Sequence, residues 1–279
     1  MKICIVSPHL DDAILSCGIL MQRRKAAGDE VLSLNIFTAG TNAANRRKED
    51  QRAEKKIGAQ TFFLDELDAP DRNPLYRSDI KLFFGPLEDI PASYIDKVEK
   101  TISDFFFKHE IDVAYFPLAA GTHIDHRIAY TIGRRIKNIP VRFYEDRPYI
   151  LWPGVLQGRM NQLGSDAALP LVTEQMMQDT LHAYHYLKHF VPEGAYQKEC
   201  LPLYFAMLRQ KSTHVLRSKN EIVVASETEI NNLYDCLALY ESQMPLIYPD
   251  HNTFVKDNLN YERANSGRDI YAERYWTFS

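Results

Sequence analysis

Cysteine is scarce in this chain, four in 279 residues, and none stands in a Cys-x-x-Cys pair. Cys4, Cys17, Cys200 and Cys236 lie far apart, mostly within apolar patterns. That argues against a zinc ribbon or a disulfide framework and for reduced, buried thiols in the cytoplasm. No apolar run approaches the roughly 20 residues of a membrane-spanning helix, so membrane insertion is not expected. The first strand starts at once from Met1-Lys2-Ile3, and no signal peptide is expected ahead of it. A strong excess of one charge is also missing: the net charge of −4 gives no reason to expect nucleic acid or an anionic membrane as partner. The turn after the first strand holds no glycine, which removes a dinucleotide-binding fingerprint. No Gly-x-Ser-x-Gly elbow occurs, which removes the usual serine nucleophile.

What is present is an ordinary globular composition, 45% hydrophobic and 25% charged, enough to bury a sizeable core. Lys2 to Ser7 reads as a buried parallel strand, and Ala13 to about Ala27 as a helix stopped by Gly28. Strands are expected at Val31 to Phe37, Gln60 to Leu64, Val113 to Pro117 and Val141 to Tyr144. Helical patterns fall between them at Arg46 to Ile57, Ser93 to His109 and Arg127 to Ile136. Asp65 to Pro91 is irregular, broken by Pro70, Pro74, Gly85 and Pro86, and a loop that long is more often functional than idle. Beyond Leu151 the pattern turns helical, at Val172 to Phe190, Gln197 to Arg209 and Glu227 to Ser242. The expected fold is α/β: a Rossmann-like, mostly parallel sheet with helices on both faces and a C-terminal helical extension. A single domain over 1–279 is expected, with an α/β core in 1–150 and a mainly helical cover in 151–279.

Two histidine motifs stand at expected strand ends. Ser7-Pro8-His9-Leu10-Asp11-Asp12 follows the first strand, and Gly121-Thr122-His123-Ile124-Asp125-His126 follows the fourth. An open α/β sheet brings the carboxyl ends of its strands to one edge, so distant motifs share a site there. His9, Asp12 and His126 make a two-His, one-carboxylate set with an open position for water, the ligand count of a hydrolytic zinc site. A second carboxylate is then left to act as a base. Read alone, Asp11-Asp12 is better explained as a helix cap followed by an acid favoured by the helix dipole. The second cluster is not easily explained by capping, and the pair of clusters favours a metal. His109, His182, His185 and His189 are assigned no role.

Pro8-His9-Leu10-Asp11-Asp12 together with His123-Ile124-Asp125-His126 resembles the PIG-L/LmbE-like family of zinc-dependent N-acetylglucosaminyl deacetylases. Arg46-x-x-Glu49, Ala53 and Ile57-Gly58 match the helix after that family's second strand, and Asp68-Ala69-Pro70-Asp71-Arg72 looks like its loop after the third. Tyr144 to Tyr149, Tyr240 to Gln243 and Glu273 to Trp276 look like a bacterial subgroup with an extended C-terminal region. The resemblance implies His9, Asp12 and His126 as ligands of zinc, or of another divalent metal such as iron(II). It implies Asp11 as general base, and His123 as oxyanion stabiliser or acid for the leaving amine. Asp125 would hold a histidine through its ring N–H. Arg46 and Asp68 would contact the sugar. Some family members carry an aromatic residue where Gly121 stands.

The reaction this implies is removal of an acetyl group from an N-acetylglucosamine-type conjugate, a small-molecule substrate. Two alternatives stand beside it: metal-dependent phosphoester hydrolysis, which usually needs two ions and more ligands, and a non-catalytic sugar-binding relative, which is expected to have lost Asp11 or a ligand.

Overall fold

Ile3 to Ser7 are buried without alternation, as a strand covered on both faces must be, and they lie in the interior of the sheet. The computed structural model describes residues 1–170, 173, 175, 202, 203 and 205–279. In it β1 (Lys2–Ser7) pairs in parallel with β2 (Glu30–Ala39) on one side and β4 (Val113–Pro117) on the other. β3 (Gln60–Leu67) lies outside β2, and β5 (Val141–Tyr144) outside β4, both parallel. Strand order therefore reverses between β1 and β4, and the crevice beyond their carboxyl ends is where such sheets bind ligands. Both histidine motifs leave the sheet at that crevice. The fold is α/β with a mostly parallel sheet, as expected. Among the described residues no helix is long and apolar enough to cross a membrane.

The crossovers carry α1 (Asp12–Ala26), α2 (Ala43–Ile57), the short α3 (Ala69–Arg72) and α4 (Asp79–Phe84), α5 (Ala92–His109) and α6 (Ile124–Arg135). The stretch read as one irregular loop thus contains a longer β3 and two short helices. The helix expected from Arg127 begins at Ile124, so His126 sits in its first turn.

Two further strands extend the sheet within the part expected to be a mainly helical cover. Beyond α7 (Val155–Leu163), β6 (Ser218–Val224) and β7 (Ala272–Phe278) join in antiparallel fashion, giving seven strands. The sequence hides both. β6 is an edge strand in which only Val223 is buried, so no apolar alternation marks it. β7 buries Glu273 and Arg274, charges that read as solvent-facing. Glu273 is accommodated because its carboxylate accepts the Ile19 and Leu20 amides of α1 at 2.8 and 2.9 Å. Arg274 is paired with Glu262. The helix expected over Glu227 to Ser242 stops early, as α8 (Glu227–Leu237), opened by a capping box of Ser226 and Glu229. Two more follow, α9 (Met244–Ile247) and α10 (His251–Ser266). The helices expected over Val172 to Phe190 and Gln197 to Arg209 lie largely outside the described residues.

The segment between α8 and α9 is bound to α2 by polar groups. The Tyr240 hydroxyl donates to Asp50 at 2.9 Å, and the Ser242 hydroxyl and amide donate to Glu49 at 2.6 and 3.0 Å. Asp50 is buried, and burial pushes its carboxyl up to about 7 although Tyr240 and Thr61 pull it down. An unfolded aspartate titrates near 3.9, so the folded chain binds this proton more tightly. The resulting stability is fully present below the unfolded pKa and is lost as pH rises through about 7. Asp50→Asn is expected to flatten the decline of stability between about pH 4 and pH 7, measured as the urea-unfolding midpoint across that range. An unchanged slope would contradict the assignment.

Candidate metal centre

The turn after β1 presents two aspartates without using either as a side-chain cap. Asp11 occupies the N-cap position of α1, yet its carboxylate makes no capping bond. Ser7 serves that end instead: its hydroxyl accepts the Ala13 amide at 3.0 Å and donates to the His9 carbonyl at 2.7 Å. Asp12 turns back and accepts the His9 amide at 2.8 Å. At the other strand end His123 is the N-cap of α6, its Nδ1 accepting the Asp125 amide at 3.2 Å. Capping therefore does not account for Asp11.

The two turns meet on one carboxylate oxygen. Asp12 Oδ2 lies 3.2 Å from His9 Nδ1 and 3.2 Å from His126 Nε2. The outer nitrogens face other acids: His9 Nε2 is 3.3 Å from Asp125 and 3.5 Å from Asp68, and His126 Nδ1 is 3.3 Å from Asp146. A carboxylate only accepts hydrogen bonds. A neutral ring that donates outward to Asp125 or Asp146 therefore turns a lone pair toward Asp12, an arrangement relieved by a cation between the three groups. The spacing fits such an ion, since a tetrahedron with bonds of ~2.0 Å has edges of about 3.3 Å. His126 Nε2 fits too. It is buried and within ion-pair distance of Asp12, but misaligned for a hydrogen bond, and is left without a partner.

Ring nitrogens of His9, His123 and His126 also lie within 4.8 Å of one another. His123 differs from the other two in what its Nδ1 does. Because Nδ1 accepts a backbone amide, the neutral ring carries its proton on Nε2 and is a donor there. A second donor trio is His9, Asp68 and Asp125. Its Asp125 is already engaged by the Arg72 guanidinium and by the Ala69 amide at 3.0 Å.

Burial opposes charge throughout the cluster, and the neighbours decide the outcome. Burial alone would lower His126, but Asp12 and Asp146 hold it at about 9. His9 is also raised well above its usual range, because Asp12, Asp125 and Asp68 outweigh burial. Against burial, His126 and His9 hold Asp12 well below the carboxylate range. Burial raises Asp11, Arg46 opposes it with Nη2 at 3.5 Å, and Asp12 adds to the rise. Burial, with His9 adding to it, lowers His123 to about 3, so the ring is neutral.

A cleft of about 280 Å³ opens on this cluster, with His9, Asp11, Asp12 and His123 on its floor and Arg46 and Asp68 at its side. His126 and Asp125 lie behind, 1% and 0% exposed. The C-terminal segment supplies Gln243, Leu246 and Ile247 as one wall. Past Arg46 and Asp68 the cleft continues into a polar groove of about 680 Å³ lined by Asn42, Asn45, Arg77 and Ser242.

Two contributors escaped the sequence reading. Tyr149 walls the cleft, and a Cβ at Gly121 would sit 2.2 Å from its Cβ, so the missing side chain at 121 makes room for this tyrosine. Asp146 follows β5 at the same sheet edge, and that position was the available signal. It accepts the Ala119 and Ala120 amides at 3.1 and 2.6 Å, in a turn where Ala119 and Thr122 hold φ near +60°. One carboxylate thus fixes both the strained turn and the His126 ring. Asp146→Asn is expected to weaken metal binding about 10- to 100-fold, measured by competition with a chromogenic chelator. Wild-type affinity would show that the His126 ring needs no such partner.

The fold and the cluster together define a doubly wound α/β protein with a histidine–carboxylate site suited to a metal ion. Residues 4–137 match the family model PIG-L, described as GlcNAc-PI de-N-acetylase. A 2'-N-acetylparomamine deacetylase of Niallia circulans is 26% identical over 183 residues, a match that spans 52% of this chain and 66% of that relative. A zinc-inhibited form of teicoplanin deacetylase Orf2 superposes with a TM-score of 0.66 at 18% identity, covering 100% of this chain and 98% of that one. The N,N'-diacetylchitobiose deacetylase of Pyrococcus horikoshii gives 0.52 at 14% identity, over 100% and 83%.

Proposed function

We propose that this chain is a metal-dependent hydrolase that removes the acetyl group from an N-acetylated amino sugar conjugate of N-acetylglucosamine type. The observation that carries the reading is the single Asp12 oxygen shared at 3.2 Å by two histidines whose far nitrogens face acids. His9, Asp12 and His126 would hold the ion, zinc or another divalent metal such as iron(II). When bound, an ion of this type lowers the pKa of a coordinated water to about 7 and polarises a carbonyl. The free buried thiols Cys4, Cys17 and Cys236 suit a reducing compartment, and the cytoplasm is the proposed location.

The chain's own groups divide the remaining work. Asp11 faces the cleft, performs no capping and takes the proton of the attacking water. Arg46 beside it holds the carboxylate in the cleft. As the acetyl carbon becomes tetrahedral, its oxygen gains charge, and His123 donates its Nε2–H to that oxygen. The proton held on Asp11 passes to the amide nitrogen, the C–N bond breaks, and acetate and a free amine leave. Asp125, engaged by Arg72, Ala69 and His9, positions the His9 ring. Arg46 and Asp68 stand where the cleft meets the polar groove, and we assign them to the sugar hydroxyls.

The relatives' names support this reading, since the paromamine and chitobiose enzymes are both deacetylases of amino sugars. A two-ion phosphoesterase is the less favoured reading because Asp125, needed in a second donor set, is occupied by Arg72. The test is acetate release from a panel of N-acetylhexosamine conjugates, run beside phosphomonoesters. Acetate from at least one conjugate and no phosphate is expected. Phosphate release without acetate would overturn the proposal.

A further inference from the structure

A second cavity, of about 470 Å³, lies on the other side of the Phe83 wall from His123. The Phe83 ring stands 5.5 Å from the His123 ring and also lines this cavity. Arg127 of α6 and Arg159 of α7 both face into it. Neither guanidinium meets a carboxylate within ion-pair distance among the described residues. Among the described residues Arg127 has one acceptor, the Gly85 carbonyl at 2.5 Å. Arg159 donates Nε to the Leu118 carbonyl at 2.8 Å and, weakly, Nη1 to Gln162 at 3.4 Å. A guanidinium has five N–H donors, so the described residues leave most of this donor capacity unused. Arg72 and Arg274 are treated differently, paired with Asp125 and with Glu262, whereas the buried Arg147 meets no carboxylate among the described residues and donates to Asn258 and the Ala272 carbonyl.

The two cations also oppose each other. Burial lowers Arg159, and the neighbouring Arg127 lowers it further, while the Tyr130 ring at 4.3 Å and Asp146 favour its charge. Glu88 at the cavity rim favours the charge of Arg127 from beyond contact distance. Two half-buried like charges with no acid in contact among the described residues repel each other, and a bound anion offsets that repulsion. The Tyr130 stack and the Leu118 carbonyl hold the Arg159 fork in place beforehand, which lowers the entropy lost on binding. The opposite wall is apolar, formed by Phe83, Phe84, Pro86, Leu203 and Met207.

We infer that this cavity is a binding site for an organic anion, its carboxylate or phosphate head held by Arg127 and Arg159 and its apolar body packed on Phe83 and Phe84. The site is separate from the metal cluster and does not rest on the deacetylase reading. Calorimetric titration of metal-stripped protein tests it, with phenylacetate and phenyl phosphate as probes and 2-phenylethanol as the neutral control. At least one anion is expected to bind while the alcohol does not, and which anion binds more tightly distinguishes the two head groups. Arg127→Gln and Arg159→Gln are each expected to weaken binding about tenfold or more. Arg127→Lys, which keeps the charge and loses the fork, guards against a fold defect and is expected to fall between. Equal binding of the alcohol, unchanged binding in both glutamine variants, or no binding of either anion up to about 10 mM would each overturn the inference.

Discussion

Asp11→Asn is expected to keep its bound metal and to lose about 10²- to 10⁴-fold in turnover, the usual contribution of a positioned base. The substitution preserves size and leaves His9, Asp12 and His126 untouched. It also leaves the end of α1 intact, because Ser7 rather than Asp11 accepts the amide there. A structural role for Asp11 therefore predicts a lost cap and lower stability, whereas base chemistry predicts lower kcat with normal stability and metal content. Arg46 loses part of a long contact at 3.5 Å, too weak to disturb α2. Metal analysis, thermal unfolding and kcat on the same preparation separate the two. Full turnover in the amide variant would remove Asp11 from the chemistry.

His126→Ala is expected to lose the ion and with it all detectable activity. In the proposed ligand set the ring supplies one of three ligand atoms, and its Nε2 has no hydrogen-bond partner to lose among the described residues. Truncation also leaves the Asp12 carboxylate with one histidine instead of two, and frees the Asp146 oxygen that still accepts the Ala119 amide, while the other oxygen keeps the Ala120 amide. His123→Ala gives the contrasting result: metal near wild type and turnover reduced about 10²- to 10³-fold, the cost of one oxyanion donor. Metal content by atomic emission distinguishes the pair. If His123→Ala lost the metal and His126→Ala kept it, the ligand and donor roles would have to be exchanged.

The legible part of this molecule is the part governed by periodicity and by strand ends. The parallel strands β1 to β4 announce themselves as short apolar runs, and the histidine motifs stand directly after two of them. That adjacency is enough to bring His9, Asp12 and His126 together, because a doubly wound sheet gathers strand ends at its switch point. Asp146 shares this position next to Glu145 but carries no histidine beside it, and acids after a strand without one are indistinguishable from turn residues. β7 stayed hidden because Glu273 and Arg274 look solvated, while their partners, the α1 amides and Glu262, are visible only in three dimensions. Capping misled in another way. Asp11 has the residue type and position of an N-cap, and only the Ser7 hydroxyl, six residues before Ala13, shows that the role is taken. The cleft wall of Gln243 and Leu246 depends on Tyr240 and Ser242 reaching α2, contacts nearly two hundred positions apart that no local pattern records.

The central claim is that one metal ion, held by His9, Asp12 and His126, supports acetate release from an N-acetylated amino sugar. The most direct measurement strips the protein with a chelator, titrates zinc or iron(II) back, and follows acetate against metal bound. The account predicts no acetate from the stripped protein, and activity that rises to a maximum at one ion per chain. Undiminished acetate release from metal-free protein would contradict it.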